Sequence, residues 1–486
     1  MTRTADTRAD LAQVIAPQQI ETVSVKNIFG TDGIRAAVGT APFTIQDLAR
    51  LGYALGIWAR KKYGVNPSIM IANDTRISCS FIKSALESGL LLHPLQLCNA
   101  DVLPTPVVYY LVRTAKQYSC GIIISASHNP YQDNGIKIID SLNGKLNLED
   151  ELAISMLYES ATTLGASYDH LGTMTYRNQA HAGYYDYVHS SLPKDFLLGR
   201  TIVLDCANGA THQLSPAIFR SFGAHVIAIN DQPTGKNINE QCGSLHTDSL
   251  KKAVFAHHAD VGFAFDGDGD RVIVVDRHGR EKNGDAILAI LLQHPTYKDM
   301  PIVVGTVMTN QGLEKYLEKQ NKQLIRAQVG DKHVCQELEK YNLLLGGEQS
   351  GHIIIRDFLE SGDGTGTALK IAHTLCITGD WDMEIYEPYP QILLTIPVIQ
   401  KHDLTNSTIV RIINEQKQLL LSGRILVRYS GTESSLRIMV EDETFDNAHM
   451  IAHTLATRLD AALTNRALRD PNTISDSCAT VEPRLT

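Results

Sequence analysis

The sequence predicts an α/β protein: three α/β domains with mainly parallel, mixed sheets, followed by a smaller C-terminal α+β domain. Three observations carry that expectation. A strand, a polar turn, a helix and a further strand recur from Ser68, from Thr201 and from Pro301, the pattern of a crossover onto a parallel sheet. After Pro390 strands and helices continue without a glycine-rich strand–helix turn. At 486 residues the chain is also too long for one core, and its length alone suggests roughly three or four domains.

Taken in order, residues 1–24 read as a polar arm without the apolar run of a signal peptide. The first domain is expected over 25–175. It holds a strand Ser68–Ala72, the turn Asn73-Asp-Thr-Arg76 and a helix to about Leu92. The second, over 176–282, repeats the pattern with Thr201–Leu204, the turn Asp205-Cys-Ala-Asn-Gly209 and a helix to Phe222. The third, over 283–392, has Pro301–Gly305, Thr309-Asn-Gln-Gly312 and a helix to about Lys319. The fourth, over 393–470, is read as Gln391–Ile399 at its entry, a helix Ser407–Leu421, strands Arg424–Tyr429 and Ser435–Glu441, and a helix Phe445–Leu463. Residues 471–486 read as a disordered tail.

Composition narrows the class. With 43% hydrophobic and 20% charged residues the chain has the make-up of a soluble globular protein. Its 44 Lys and Arg against 53 Asp and Glu give a net charge of -9. That argues against a nucleic-acid or anionic-membrane surface, so an anionic ligand must be held by local basic groups. The 8 cysteines form no CxxC pair, as expected of reduced thiols in the cytoplasm. No run is long and apolar enough to cross a bilayer.

Five segments carry candidate chemistry. Gly121-Ile-Ile-Ile-Ser-Ala-Ser-His-Asn-Pro130 runs from a strand into a polar turn, delivering the Ser127 hydroxyl beside the His128 imidazole, with Lys137 close in sequence. Asp266-Gly-Asp-Gly-Asp-Arg271 lies between two apolar strands, Val261–Phe265 and Val272–Val275. Positions 266, 268 and 270 share a face of an extended chain and the glycines let the carboxylates converge, so a hard cation is expected among them: Mg²⁺ first, Ca²⁺ less strongly excluded. Gly346-Gly-Glu-Gln-Ser-Gly-His352 lies between strands Leu343–Leu345 and Ile353–Ile355. There Glu348 and Ser350 are expected on one face, suited to adjacent sugar hydroxyls. Arg428-Tyr-Ser-Gly-Thr-Glu-Ser-Ser-Leu-Arg437 offers two guanidinium forks, the Ser430 and Thr432 hydroxyls and the Gly431 backbone to a phosphate. Phe29-Gly-Thr-Asp-Gly-Ile-Arg35 opens the folded region and brings Arg35.

These segments, in this order, resemble the α-D-phosphohexomutase superfamily, and most closely its phosphoglucosamine mutase branch. The resemblance runs from about Val25 to Leu463. It implies a heart-shaped, four-domain phosphohexomutase with a central cleft. It implies an intramolecular phosphotransferase that interconverts glucosamine 6-phosphate and glucosamine 1-phosphate through a glucosamine 1,6-bisphosphate intermediate. Phosphomannomutase/phosphoglucomutase activity is the alternative with the same chemistry. On this resemblance Ser127 carries a phosphoryl group and, with Asp266, Asp268 and Asp270, holds Mg²⁺. Lys137 handles the proton, Arg35 stabilises charge and His128 helps position; Glu348, Ser350, His352 and Arg271 contact the sugar. Arg428, Ser430, Gly431, Thr432 and Arg437 hold the phosphate that is not reacting. The fourth domain is expected to move as a lid. A phosphosugar is the expected partner, the chain being a monomer or homodimer.

Two positions depart from the family pattern. Ser434 stands where a Pro usually follows the Glu of the phosphate loop, and Lys332-His333 stands where Arg-Tyr usually follows Gly-Asp.

Overall fold

In the computed structural model, residues 27–464 are described, apart from 31, 166 and 431–433. The expected arm and tail lie outside the described residues. The first sheet has the strand order Ile34–Ala37, Asp133–Asp140, Cys120–Ile124, Ser68–Asn73, Gln96–Val102 and Thr173–Tyr176, with Gly144–Lys145 added on Asp133–Asp140. Cys120–Ile124, Ser68–Asn73, Gln96–Val102 and Thr173–Tyr176 run parallel. Cys120–Ile124 is buried along its whole length, as a strand covered on both faces must be. Helix Ile45–Tyr63 covers one face, started by the Thr44 hydroxyl accepting from the Asp47 N–H.

The second sheet runs Glu281–Lys282, Val272–Asp276, Val261–Phe265, Thr201–Asp205 and His225–Ile229. The third runs Gln323–Ala327, Ile302–Thr306, Leu345–Gly347, Ile353–Ile355 and Leu359–Gly362. Leu345–Gly347 replaces the expected Leu343–Leu345. Gly346 pairs with Val304 on the neighbouring parallel strand, and a Cβ there would stand 3.0 Å from Val304, so the glycines belong inside the ladder.

One device recurs in all three sheets. The last strand of the parallel set turns back on itself as an antiparallel neighbour, and the connecting hairpin is a motif segment. Cys120–Ile124 returns as Asp133–Asp140, Val261–Phe265 as Val272–Asp276, and Leu345–Gly347 as Ile353–Ile355. The fourth domain is an antiparallel sheet, Gln391–Pro397, Ser435–Glu441 and Arg424–Tyr429, in which Ser435–Glu441 is central. Helices Ser407–Lys417 and Phe445–Thr464 pack with it. The first of these ends earlier than the expected Leu421, before the Ser422-Gly423 turn.

Apolar packing divides the molecule unequally. A single continuous core joins Val107 and Tyr184 to Phe219, Phe263, Leu288, Leu313, Leu369 and Leu375, residues of all three α/β domains. The fourth domain has a separate core built on Ile392, Leu436, Ile438, Ile451 and Leu455. It docks through polar contacts. Arg424 Nη1 and Nη2 donate to the carbonyls of Val307 and Thr309, both at 2.7 Å, and Glu441 accepts from Arg424 Nε at 2.7 Å and from the Gln311 N–H at 3.1 Å.

Candidate active site

Two of the hairpins meet at Ser127, and the third reaches the same centre through His352 and Asp270. Ser127 Oγ donates to Asp266 Oδ2 at 2.6 Å and lies 3.2 Å from His128 Nδ1. The residue is buried, at 1% exposure, with φ +52°. The first two hairpins are in backbone contact. A Cβ on Gly267 would come within 2.6 Å of the Ser127 carbonyl, so this close approach admits only glycine. Gly269, at φ +75°, supplies the bend expected of the glycines in this segment. The carboxylates of Asp266, Asp268 and Asp270 therefore converge through a tight turn, each with an oxygen within 4.8 Å of the others.

The electrostatics are those of a ring with a cation already inside it. Lys137, buried, puts Nζ 3.0 Å from Asp268 Oδ2, 3.2 Å from Asp270 Oδ2 and 3.0 Å from Asp32 Oδ2. Burial pulls its pKa down, but the three carboxylates outweigh that and hold the ammonium well above the ordinary lysine value. In this setting Lys137 is a donor. Asp266 is pushed well up by burial and by Asp270 and Asp268. Asp270 is held well down despite burial, by Lys137 and His352. His128 is lowered to about 4 by burial and by Arg271 and Arg35, so its imidazole is neutral near pH 7.

The donor set fits a hard divalent cation. Asp268 Oδ1 and Asp270 Oδ1 are buried and have no hydrogen-bond partner, an arrangement that carboxylate oxygens avoid unless a ligand meets them.

The other expected residues fall around this centre. Arg35 reaches the serine loop, donating to the Ala126 carbonyl at 3.2 Å and to Asp32 at 2.8 Å. Arg271 is tied to the triad through its N–H, which donates to Asp266 Oδ1 at 3.2 Å. His352 bridges Asp270 and Asp331 at 3.6 Å each, and these carboxylates raise its pKa against the downward pull of burial.

The third hairpin corrects one expectation: Glu348 and Ser350 do not share a face. The Gly351 N–H donates to the Glu348 carbonyl at 3.0 Å, closing a turn that leaves Glu348 buried and Ser350 exposed. Glu348 Oε1 accepts from the Gly330 N–H at 2.8 Å, tying this loop to the Gly330–His333 segment. In that segment Lys332 reaches across to Glu151 of the first domain at 3.5 Å, Asp331 pairs with Lys145, and His333 is exposed.

In the fourth domain Arg428 and Arg437 are direct cross-strand partners. Burial and Arg437 lower the pKa of Arg428, and its Nε is buried without a hydrogen-bond partner. Ser430 is buried, with its N–H on the Ser435 carbonyl at 2.9 Å. Gly431 and Thr432 lie outside the described residues. Like charges facing across a strand pair are destabilising by themselves, and an anion relieves them.

Sequence reading missed Asp32, Thr105, Arg76 and Asn239. Thr105 Oγ1 donates to Asp268 Oδ2 at 2.7 Å. Asp32 sits inside the Phe29–Arg35 segment, where only Arg35 was singled out, while Thr105, Arg76 and Asn239 sit in no glycine-rich motif and have partners far away in the chain.

Comparison with known proteins places the chain. It matches the phosphoglucomutase/phosphomannomutase family domain by domain: alpha/beta/alpha domain I over 26–164, domain II over 182–279, domain III over 283–391 and the C-terminal domain over 392–458. It is 40% identical over 445 residues to the phosphoglucosamine mutase of Methylobacillus flagellatus, covering 89% of this chain and 98% of that protein. The phosphoglucosamine mutase of Thiobacillus denitrificans is 39% identical over 451 residues, covering 90% and 98%. In fold it is similar to a phosphoglucomutase/phosphomannomutase family protein from Burkholderia thailandensis, with TM-score 0.74 at 20% identity, covering 91% of this chain and 98% of that one. It is also similar to Aspergillus fumigatus N-acetylphosphoglucosamine mutase, solved with GlcNAc-6P and magnesium, with TM-score 0.62 at 17% identity, covering 90% and 96%. All four domain types in order, and two-fifths identity along almost the whole length, show that this chain belongs to the phosphoglucomutase/phosphomannomutase family, in its phosphoglucosamine mutase branch.

Proposed function

We propose that the protein interconverts glucosamine 6-phosphate and glucosamine 1-phosphate, with Ser127 carrying the phosphoryl group between the two sugar positions. The observation that carries this reading is the Ser127 hydroxyl, buried and bonded at 2.6 Å to Asp266 within a triad of carboxylates. The curated relatives at 39–40% identity are phosphoglucosamine mutases.

In the cycle a sugar hydroxyl takes the phosphoryl group from phospho-Ser127, so that the P–O bond to Oγ breaks as the one to the sugar forms. The resulting glucosamine 1,6-bisphosphate turns over and returns its other phosphate to Ser127. Asp266, Asp268, Asp270 and the phosphorylated Ser127 would hold Mg²⁺, which when bound neutralises charge on the transferring group. Lys137, held in its charged form, donates a proton to the oxygen that loses the phosphoryl group and is recharged by the proton that the attacking hydroxyl gives up. Arg35 stabilises charge beside the serine loop, and neutral His128 orients the Ser127 hydroxyl. Glu348, Ser350, His352 and Arg271 bind the sugar, while Arg428, Ser430, Gly431, Thr432 and Arg437 take the phosphate that is not reacting. The separate core of the fourth domain supports its role as the moving part. The enzyme acts in the cytoplasm as a monomer or homodimer, a setting consistent with seven described cysteines that are all free.

Intact-mass and phosphopeptide analysis should find one phosphoryl group, on Ser127. Comparing kcat/KM for glucosamine 1-phosphate, glucose 1-phosphate and mannose 1-phosphate should show a preference for the amino sugar. Equal or higher efficiency with glucose or mannose phosphate would reject the substrate assignment and leave the chemistry in place.

A further inference from the structure

Ser127 occupies the left-handed region, which a residue with a Cβ keeps only when its surroundings hold it there. What holds it is an array of donors aimed at the turn's backbone. The Ser127 N–H donates to Ser125 Oγ at 2.9 Å, and that hydroxyl donates to Asp74 Oδ2 at 2.6 Å. The Ser127 carbonyl accepts twice, from Arg76 Nη2 at 2.9 Å and from Asn239 Nδ2 at 2.9 Å. The same two side chains converge on the Asn129 carbonyl, at 2.8 Å and 3.1 Å. Arg76 Nη1 takes the carbonyls of Pro130 and Asp133, the latter at 3.0 Å, and Arg76 Nε takes Asp74 Oδ2 at 2.8 Å. The Arg76 side chain has no solvent exposure.

We infer that Arg76 of the first domain and Asn239 of the second are positioning residues that clamp the Ser127 turn from two sides and fix the direction of its Oγ for phosphoryl transfer. This rests on the reading of Ser127 as the phosphoryl carrier. Arg76 spends its planar fork on the backbone of one short turn, a geometry that the point charge of a lysine cannot reproduce. A buried arginine could serve the stability of the first domain alone. Asn239 argues otherwise: it belongs to a different domain, is only half-buried, and meets the same two carbonyls.

The clamp acts on the orientation of the nucleophile, so its loss should lower kcat and spare KM. For Arg76→Lys, kcat should fall about 100-fold, the cost of roughly an ångström of misplacement, with KM within about twofold. Asn239→Ala should lower kcat about tenfold, one hydrogen-bonding group's worth, again at constant KM and with the melting temperature little changed. Single-turnover transfer from the phosphorylated enzyme to the sugar should slow by the same factors. Unchanged kcat, or a loss that only follows the fraction unfolded, would overturn the clamp. If Arg76→Lys does not fold, Asn239→Ala decides alone by the same criterion. Ser127→Ala, run in parallel, separates the two ideas. Wild-type protein without phosphate on Ser127, together with an active Ser127→Ala, removes the carrier reading. A phosphorylated wild type with fully active clamp variants removes only the clamp.

Discussion

At Lys137 three carboxylates surround one buried ammonium, whereas across the fourth-domain sheet Arg428 stands directly opposite a second arginine, Arg437. The first region is fixed from every side. Its loops touch backbone to backbone at Gly267 and Ser127, and it sits above the core shared by three domains. The second belongs to a domain with its own core, joined to the rest through Arg424 and Glu441. The contrast teaches a division of labour. On the function proposed above, chemistry directed at one phosphorus atom would sit in the fixed region, and recognition of the phosphate that is not reacting would sit on a domain free to act as a lid.

That contrast can be broken most severely at Ser127. Ser127→Ala should reduce mutase activity by about 1,000-fold or more, because it removes the hydroxyl proposed to carry the phosphoryl group. A coupled assay with a bisphosphosugar primer checks it; retained activity would mean that the rigid centre is not where the chemistry happens. Asp268→Asn comes next, with an expected loss of about 100-fold that excess Mg²⁺ partly restores. Magnesium titration reads this, and an unaltered metal dependence would exclude the triad as the ligand set.

The fourth-domain side should respond differently. Arg428→Ala removes one charge-assisted contact worth about 1.5–3 kcal/mol, so KM should rise roughly 10- to 100-fold while kcat changes less. A fall in kcat at constant KM would erase the distinction between the two regions. The smallest effect concerns the joint. Asp285 accepts from the Asn310 N–H at 2.9 Å, and burial raises its pKa from the ordinary 3.8 to about 6. The folded state therefore binds more protons than the unfolded one between about pH 4 and 6, and stability rises as pH falls through that window. Asp285→Asn should remove about 1–3 kcal/mol of that rise, read from denaturant midpoints at pH 4.5 and 7. A profile as steep as that of the parent would show that Asp285 does not titrate there; the buried Asp363, also raised to about 6, would then account for the slope.

Much of this was legible in the sequence because strand periodicity and glycine-bounded loops are local signals. Val261–Phe265, Ile353–Ile355, Arg424–Tyr429 and Ser435–Glu441 fall where the apolar pattern puts them. The convergence of Asp266, Asp268 and Asp270 was readable from their spacing and from the glycines between them, and a turn at Gly269 produces it. The Glu348–Ser350 alternation failed because a hydrogen bond from Gly351 closes a turn there, which a period-two reading cannot contain. Thr105, Arg76 and Asn239 were invisible for another reason. Their partners lie 163, 51 and 112 positions away, and nothing in the neighbouring sequence marks a side chain that will meet a distant backbone.

The hairpin that recurs in each α/β sheet has a consequence for biosynthesis. These three motif loops are closed by the strands on either side of them, so each hairpin can complete its own pairing soon after it leaves the ribosome. The site cannot form so early, since Ser127 finds Asp266 only 139 residues later and Lys145 meets Asp331 186 residues later. A nascent or truncated chain can thus be well folded in its finished parts and chemically silent. The constellation around Ser127 is complete only when the last loops arrive, and on the function proposed above the order of translation itself would keep that serine idle until then.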